Sequence, residues 1–182
     1  MQYHEVCFFA RGGQGAVVAA RLLVHAVSLE GLWGQAFPLF GGERRGAPVY
    51  SFARISDKPV RVRSQIREPD ALIVFDRALL SALTFKVKKG GFVLANSPSK
   101  PSVESADRVY WVDATAIAKR NGLVVAGWPV VNTAMLGALT KVWSLVSLSS
   151  LKRSILDAWT GKLGEVNAKA AEEAYNEVMT GE

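Results

Sequence analysis

The chain has 182 residues, 49% hydrophobic and 21% charged, a size and balance that suit one domain with a sizeable core and exclude a disordered protein. The net charge of +6 suggests an acidic partner or ligand, with Arg44, Arg45, Arg54, Arg61, Arg63 and Arg67 concentrating positive charge in the first half. A single cysteine, Cys7, excludes an internal disulfide, a cysteine zinc site or an iron-sulfur cluster held by this chain alone.

Val6 to Ala10 reads as a buried strand, and Gly15 to about Glu30 as a helix with Gly31 just past its end. That helix is apolar almost all round, apart from a stripe of Arg21 and His25, so it should be covered on two sides. Gln35 to Leu39 fits an edge strand because it contains Pro38. Val49 to Ser56 and Val60 to Arg63 flank the turn-like "SDKP" and read as a hairpin. "DALIVFD" at 70–76 is a continuous apolar run suited to a parallel central strand, and Asp76 is placed to cap a following helix over Arg77 to Leu83. Strands at Phe92 to Ala95 and Val109 to Val112 follow, then a short helix from Ala114 to Arg120. Three helices close the chain at about Asn132 to Ser144, Leu148 to Trp159 and Asn167 to Met179, and Asn132 sits where a cap is expected. The alternation predicts an α/β fold, a three-layer α/β/α domain over 1–182 with a mixed, mainly parallel sheet and a helical C-terminal segment.

No apolar run reaches the roughly 18 residues needed to cross a bilayer, since Arg21 and His25 interrupt the most apolar helix. The polar start Met1-Gln2-Tyr3-His4-Glu5 shows neither a signal nor a transit peptide, and a cytoplasmic address is expected, with no membrane association. No nucleic-acid-binding motif accompanies the charge, so nucleic acid is not an expected partner. Cys7, within an apolar run, reads as a small buried hydrophobe. With only His4 and His25 besides, no metal site is expected. The tryptophans have no spacing pattern and default to packing.

Two loops carry the chemistry. "ARGGQGAVVAARLLVHA", residues 10–26, joins a strand to a helix through a glycine turn, where unpartnered N–H groups and the helix dipole favour an anion. Its register is Ala10-x-Gly12-x-x-Gly15, so the first glycine of a dinucleotide fingerprint is missing, and no acid ends the second strand; a nicotinamide dehydrogenase is disfavoured. No Lys-Ser/Thr follows, which removes a P-loop. An anion-binding turn with Gln14 at its tip remains, alongside a turn whose glycines serve strand-helix packing alone. In the second loop, "FPLFGGERRGAPVYSFARISDKPVR" at 37–61, Arg44 and Arg45 could grip phosphate or carboxylate with Glu43 orienting one guanidinium, or form a solvated charged turn.

These segments, with "PDALIVFD", "VVNTAMLGAL" at 130–139 and "EVNAKAAEEAY" at 165–175, resemble the gamma subunit, or corresponding third domain, of the pyruvate/2-oxoacid:ferredoxin oxidoreductases over nearly the whole chain. The "ERRGAPV" wording resembles the pyruvate branch, and Ala10 departs from a position where the family commonly has glycine. The resemblance implies an assembly that oxidatively decarboxylates a 2-oxoacid to an acyl-CoA and reduces ferredoxin. It further implies thiamine diphosphate, magnesium and iron-sulfur clusters on alpha, beta and delta partner subunits, no catalytic residue here, and inactivity of the isolated chain. By the same resemblance, this chain contributes part of the coenzyme A environment. The residues expected there are Gly12, Gly13, Gln14, Gly15, Glu43, Arg44, Arg45, Gly46 and Asn132. Intersubunit salt bridges by Glu43, Arg44 and Arg45 are the rival role, and a non-catalytic assembly subunit or a stand-alone nucleotide-binding protein are the rival functions.

Overall fold

The computed structural model describes residues 3–39, 46–62, 64–104 and 106–181. Strand β1, His4–Arg11, leads into helix α1, Ala16–Ser28; β2, Trp33–Leu39, and β3, Pro48–Ser56, follow. β4 is Ala71–Val74, trailed by a 3₁₀ helix at Arg77–Ala82; then come β5, Phe92–Asn96, β6, Arg108–Val112, and α2, Ala114–Arg120. A short hairpin of β7, Val124–Val125, and β8, Trp128–Pro129, precedes α3, Asn132–Val142, α4, Leu148–Ala158, α5, Lys162–Glu177, and a final β9, Met179–Thr180. The main sheet has the order β2-β3-β1-β4-β5-β6-β9. β1, β4, β5 and β6 run parallel, while β3 is antiparallel to β1 and β2, and β9 to β6.

The two-residue period of β1 sets the layers. Val6, Phe8 and Ala10 point into the larger core, beneath α1 and the bundle of α3, α4 and α5. Cys7 and Phe9 point the other way, with Phe52, Leu72, Val74 and Val93, and are covered by Leu79 of the 3₁₀ helix and by Leu83, Phe85 and Val103. The arrangement is a three-layer α/β/α with a mixed sheet and a C-terminal helical bundle, one outer layer being much thinner. Helix α1 buries Ala16, Ala19, Ala20, Leu23, Ala26 and Val27 at helical spacing. Its other flank meets α4, where Ser154 Oγ donates to the Leu22 carbonyl at 2.9 Å, so the helix is covered on two sides as its composition predicts.

The expected hairpin between 49–56 and 60–63 is corrected. β3 pairs with β2 and β1, and residues 60–62 form no strand. The physical reason is Arg54, whose guanidinium donates to the carbonyls of Val62 at 2.8 Å and Ser64 at 3.1 Å, taking the place of a strand ladder. Arg54 is nearly fully buried, pairs with Glu5 at 2.8 Å and lies over the rings of Tyr3 and Phe37. Arg63 itself lies outside the described residues.

Candidate functional site

Every parallel strand ends on the same edge of the sheet, and the glycine turn lies there. Gly12 N–H donates to the Ala47 carbonyl at 2.9 Å, and Gly46 N–H donates to the Gly12 carbonyl at 3.3 Å. The turn is thus laced to the entry of β3. Leu39, the end of β2, pairs with Tyr50 on the same edge, so both described flanks of the second loop lie on the edge that carries the turn. Gly46 is the one predicted residue of that loop within view; Glu43, Arg44 and Arg45 lie outside the described residues.

Gly13 and Gly15 adopt φ of +94° and +86°, conformations costly for any residue with a Cβ. Around Gly13 a Cβ would meet nothing within 4 Å, so its approach is open. Gly15 is different: a Cβ there would lie 2.5 Å from Asn132 Nδ2 and 3.0 Å from its Cγ. The turn and the start of α3 are therefore in contact, which sequence spacing alone could not reveal. Asn132 is buried, and its Oδ1 accepts Thr133 N–H at 2.8 Å; the cap position of α3 is Val131 rather than Asn132. Gln14 folds back, its Oε1 accepting Arg11 N–H at 2.8 Å. Ala10 stands inside β1, opposite Val49, so the missing first glycine is a strand position and not part of the turn.

No side chain caps Gly15, and the first bond of the α1 ladder runs from Ala19 N–H to the Gly15 carbonyl at 2.9 Å. The N–H groups of that first turn are left to solvent or an anion. Beside them is a hollow of about 270 Å³ lined by Gly12, Gly13, Gly15, Ala16 and Tyr50. Burial pushes the Tyr50 hydroxyl above its usual range, ahead of an opposing hydrogen bond with Thr84 and a smaller influence of Cys7, and keeps it neutral. Cys7 is wholly buried and its thiol is pushed far up by that burial, so it is an inert apolar filler.

Sequence reasoning missed Arg11. Its Nε donates to Asp76 Oδ2 at 2.6 Å and its Nη1 to the Gly46 carbonyl at 3.2 Å, tying together the ends of β1 and β4 and the entry of β3. The available signal was an arginine directly between an apolar strand and the glycines. Asp76 also accepts Ala78 N–H at 2.9 Å and so caps the 3₁₀ helix, the role expected of it. On the other side of Gln14, a cleft of about 460 Å³ opens across the ends of β4, β5 and β6, with Asp76, Arg77, Asp113, Lys119 and Trp128 in its walls. It lies at the carboxyl ends of the parallel strands on the β4 side of β1, the edge on which ligands of such sheets usually bind. What the edge offers is backbone donors, positive charge and room for a small anionic molecule. Among the described residues no group of three or more His, Cys, Asp or Glu could hold a metal ion, and no helix is long and apolar enough to cross a membrane.

Residues 5–177 match the pyruvate ferredoxin/flavodoxin oxidoreductase family. The chain is 50% identical over 177 residues to the pyruvate synthase subunit PorC of Methanocaldococcus jannaschii, covering 96% of this chain and 97% of that one. It is 48% identical over 183 residues to the pyruvate/ketoisovalerate oxidoreductases common subunit gamma of Thermococcus kodakarensis, with 96% and 97% covered. The crystal structure of a pyruvate oxidoreductase subunit PORC from Thermotoga maritima superposes with a TM-score of 0.85 at 30% identity, over the whole of both chains. With the glycine turn, the mixed sheet and the helical bundle in one architecture, the chain belongs to the pyruvate/2-oxoacid:ferredoxin oxidoreductase family as a gamma subunit of the PorC kind.

Proposed function

We propose that this chain works within a cytoplasmic pyruvate-type 2-oxoacid:ferredoxin oxidoreductase, beside alpha, beta and delta subunits, and forms one wall of the coenzyme A site. The observation that carries the reading is the open glycine turn in front of an uncapped α1, since a phosphate approaching Gly13 meets no side chain. Gly12, Gly13 and Gly15 supply the backbone, with Gln14 and Asn132 holding the turn's shape from inside and from α3. Glu43, Arg44, Arg45 and Gly46 follow in sequence from the edge that Leu39 and Gly46 flank, and the two guanidiniums are the cationic grip for the same phosphates. A cluster requires thiolates, and the one cysteine is sealed in the sheet, so this chain does not fit iron-sulfur ligation. Clusters, thiamine diphosphate and magnesium are assigned to the partners, as is the decarboxylation itself. Choice among 2-oxoacid side chains is assigned there too, in keeping with a relative described as common to pyruvate and ketoisovalerate oxidoreductases.

A second reading has its own observation. Arg11, Gln14 and Asp76 satisfy one another around the turn, as they would in a purely architectural junction that serves assembly. Steady-state kinetics of the assembled enzyme separates the two. Arg44→Ala with Arg45→Ala should raise the KM for coenzyme A about tenfold or more, as for lost charge-assisted hydrogen bonds, and leave the KM for pyruvate in place. An unchanged coenzyme A KM favours the assembly role.

A further inference from the structure

We propose that the amino edge of the sheet, opposite the glycine turn, carries a docking surface for the acidic face of a partner subunit, built from Arg61, Arg67, Lys86 and Lys89. Residues 61–70 and 84–90 hold six Lys or Arg against Glu68 and Asp70, a net +4 of the chain's +6. Arg63, one of the six, lies outside the described residues. The coenzyme A reading uses none of this charge.

The fold gathers the two segments at one place. Glu5 lies near the start of β1, Asp70 just before β4, and Gly90 and Gly91 just before β5, all at the amino ends of parallel strands. The buried Arg54 holds the carbonyls of Val62 and Ser64 and pairs with Glu5 Oε1 at 2.8 Å. Glu5 Oε2 pairs on its other side with Lys88 Nζ at 2.9 Å, and Lys88 N–H donates to the Pro69 carbonyl at 3.0 Å. Ile66 of the first segment and Phe85 and Val87 of the second pack on the same apolar cluster. With Phe85 and Val87 turned in, Lys86 between them is turned out; Arg61, Arg67 and Lys89 are exposed as well.

The acids of this edge are largely spent inside it. Glu5 is held by Arg54 and Lys88, and Asp70 Oδ2 accepts Glu5 N–H at 2.7 Å and Lys88 Nζ at 3.0 Å. Arg61, Arg67, Lys86 and Lys89 form no ion pair among the described residues, and Glu68 is the one acid of the two segments without one. Like charges crowded on one edge repel, and carboxylates from outside relieve that repulsion. A protein fits better than a nucleic acid. Phe85, the one aromatic residue of the two segments, packs inward on Tyr50 and Phe52 with ring centroids 4.9 Å and 6.1 Å away, which leaves no ring among these cations to stack a base. Val62, 39% exposed beside Arg61, sets an apolar spot within the charged rim, the make-up of a protein contact. The inference rests on the proposed assembly for the existence of a partner, and not on the coenzyme A site.

Lysine acetylation of the isolated chain and of the assembled oxidoreductase, read by mass spectrometry, tests the surface. Lys86 and Lys89 should lose most of their labelling in the assembly, and a carbodiimide should cross-link one of them to an Asp or Glu of another subunit. Lys86→Glu with Lys89→Glu should weaken retention of the chain by its partners about tenfold or more, since attraction becomes repulsion, and Lys86→Arg with Lys89→Arg should keep it. Equal labelling of both lysines in chain and assembly overturns the proposal, as does retention that the charge reversal leaves unaltered. So does binding of the isolated chain to poly(U) RNA or to phosphatidylserine vesicles that the reversal abolishes while both lysines stay reactive in the assembly. Recovery of the chain without partners overturns the assembly reading together with the surface, whereas an intact assembly with reactive lysines overturns the surface alone.

Discussion

Replacing Gly15 by alanine tests how the glycine turn is built. The substitution has two costs that the structure separates. A Cβ at φ +86° carries the left-handed penalty of about 1–2 kcal/mol. It would also lie 2.5 Å from Asn132 Nδ2, and because Asn132 is buried and held by its bond to Thr133 N–H, it cannot simply swing away. Overpacking of that kind costs a further ~1–3 kcal/mol. For a chain of this size each kcal/mol lowers the melting temperature by about 2–4 °C, so Gly15→Ala should melt about 10 °C below wild type. Gly13→Ala has only the first cost, with nothing within 4 Å of its Cβ, and should lose about 4 °C. Thermal unfolding of Gly15→Ala, Asn132→Ala and the double variant completes the cycle. With the Asn132 amide removed, Gly15→Ala should cost no more than Gly13→Ala. A Gly15→Ala penalty that is equally large in both backgrounds would refute the claim that the α3 contact, rather than backbone conformation alone, fixes glycine at this position.

Arg54→Ala should be destabilising by about 3–5 kcal/mol, read as a fall of about 10 °C in melting temperature, because it leaves Glu5 and the carbonyls of Val62 and Ser64 without their buried partner; a shift under about 3 °C would contradict that role. Burial alone would raise the Glu173 carboxyl, but hydrogen bonds from Arg120 at 2.7 Å and Asn121 at 3.0 Å, with the charges of Arg120 and Lys169, hold it below its ordinary 4.5. A depressed carboxyl contributes stability that is present above 4.5 and lost as pH falls through the folded value, so melting at pH 7 and pH 3.5 should differ less in Glu173→Gln than in wild type. An acid limb that Glu173→Gln leaves unaltered would show that the α2–α5 ion pairs contribute nothing to it.

Most of the fold is legible in the sequence because apolar runs and their punctuation set it. β1, β4, β5 and β6 fall where short buried strands are expected, and α2 agrees residue for residue with the predicted Ala114 to Arg120. Errors occur where a side chain or a close approach overrides local pattern. The turn-like "SDKP" misleads because Arg54, distant in pattern but near in space, satisfies the carbonyls of the following segment. α5 begins at Lys162, five residues before the predicted start, and its first turns include Gly164, where a Cβ would run into the Trp159 carbonyl, a close approach that local pattern does not show. β9 and the β7–β8 hairpin have two-residue strands, too short for any periodicity to register. At the site, the glycine turn and Gly46 are legible from composition and are brought together. The contact of Gly15 with Asn132, and the Arg11–Asp76 pair, join positions more than 60 residues apart and carry no local signal. Trp128 reads as a packing residue in the sequence, while the structure sets it half exposed on the cleft.

The most direct test of the account is affinity capture of the tagged chain from a lysate of its native host, followed by cofactor analysis and a viologen-reduction assay with pyruvate and coenzyme A. The account predicts recovery of larger partner subunits carrying thiamine diphosphate and iron, and viologen reduction that requires both pyruvate and coenzyme A. Recovery of the chain alone, without those cofactors and without pyruvate-dependent reduction, would contradict it.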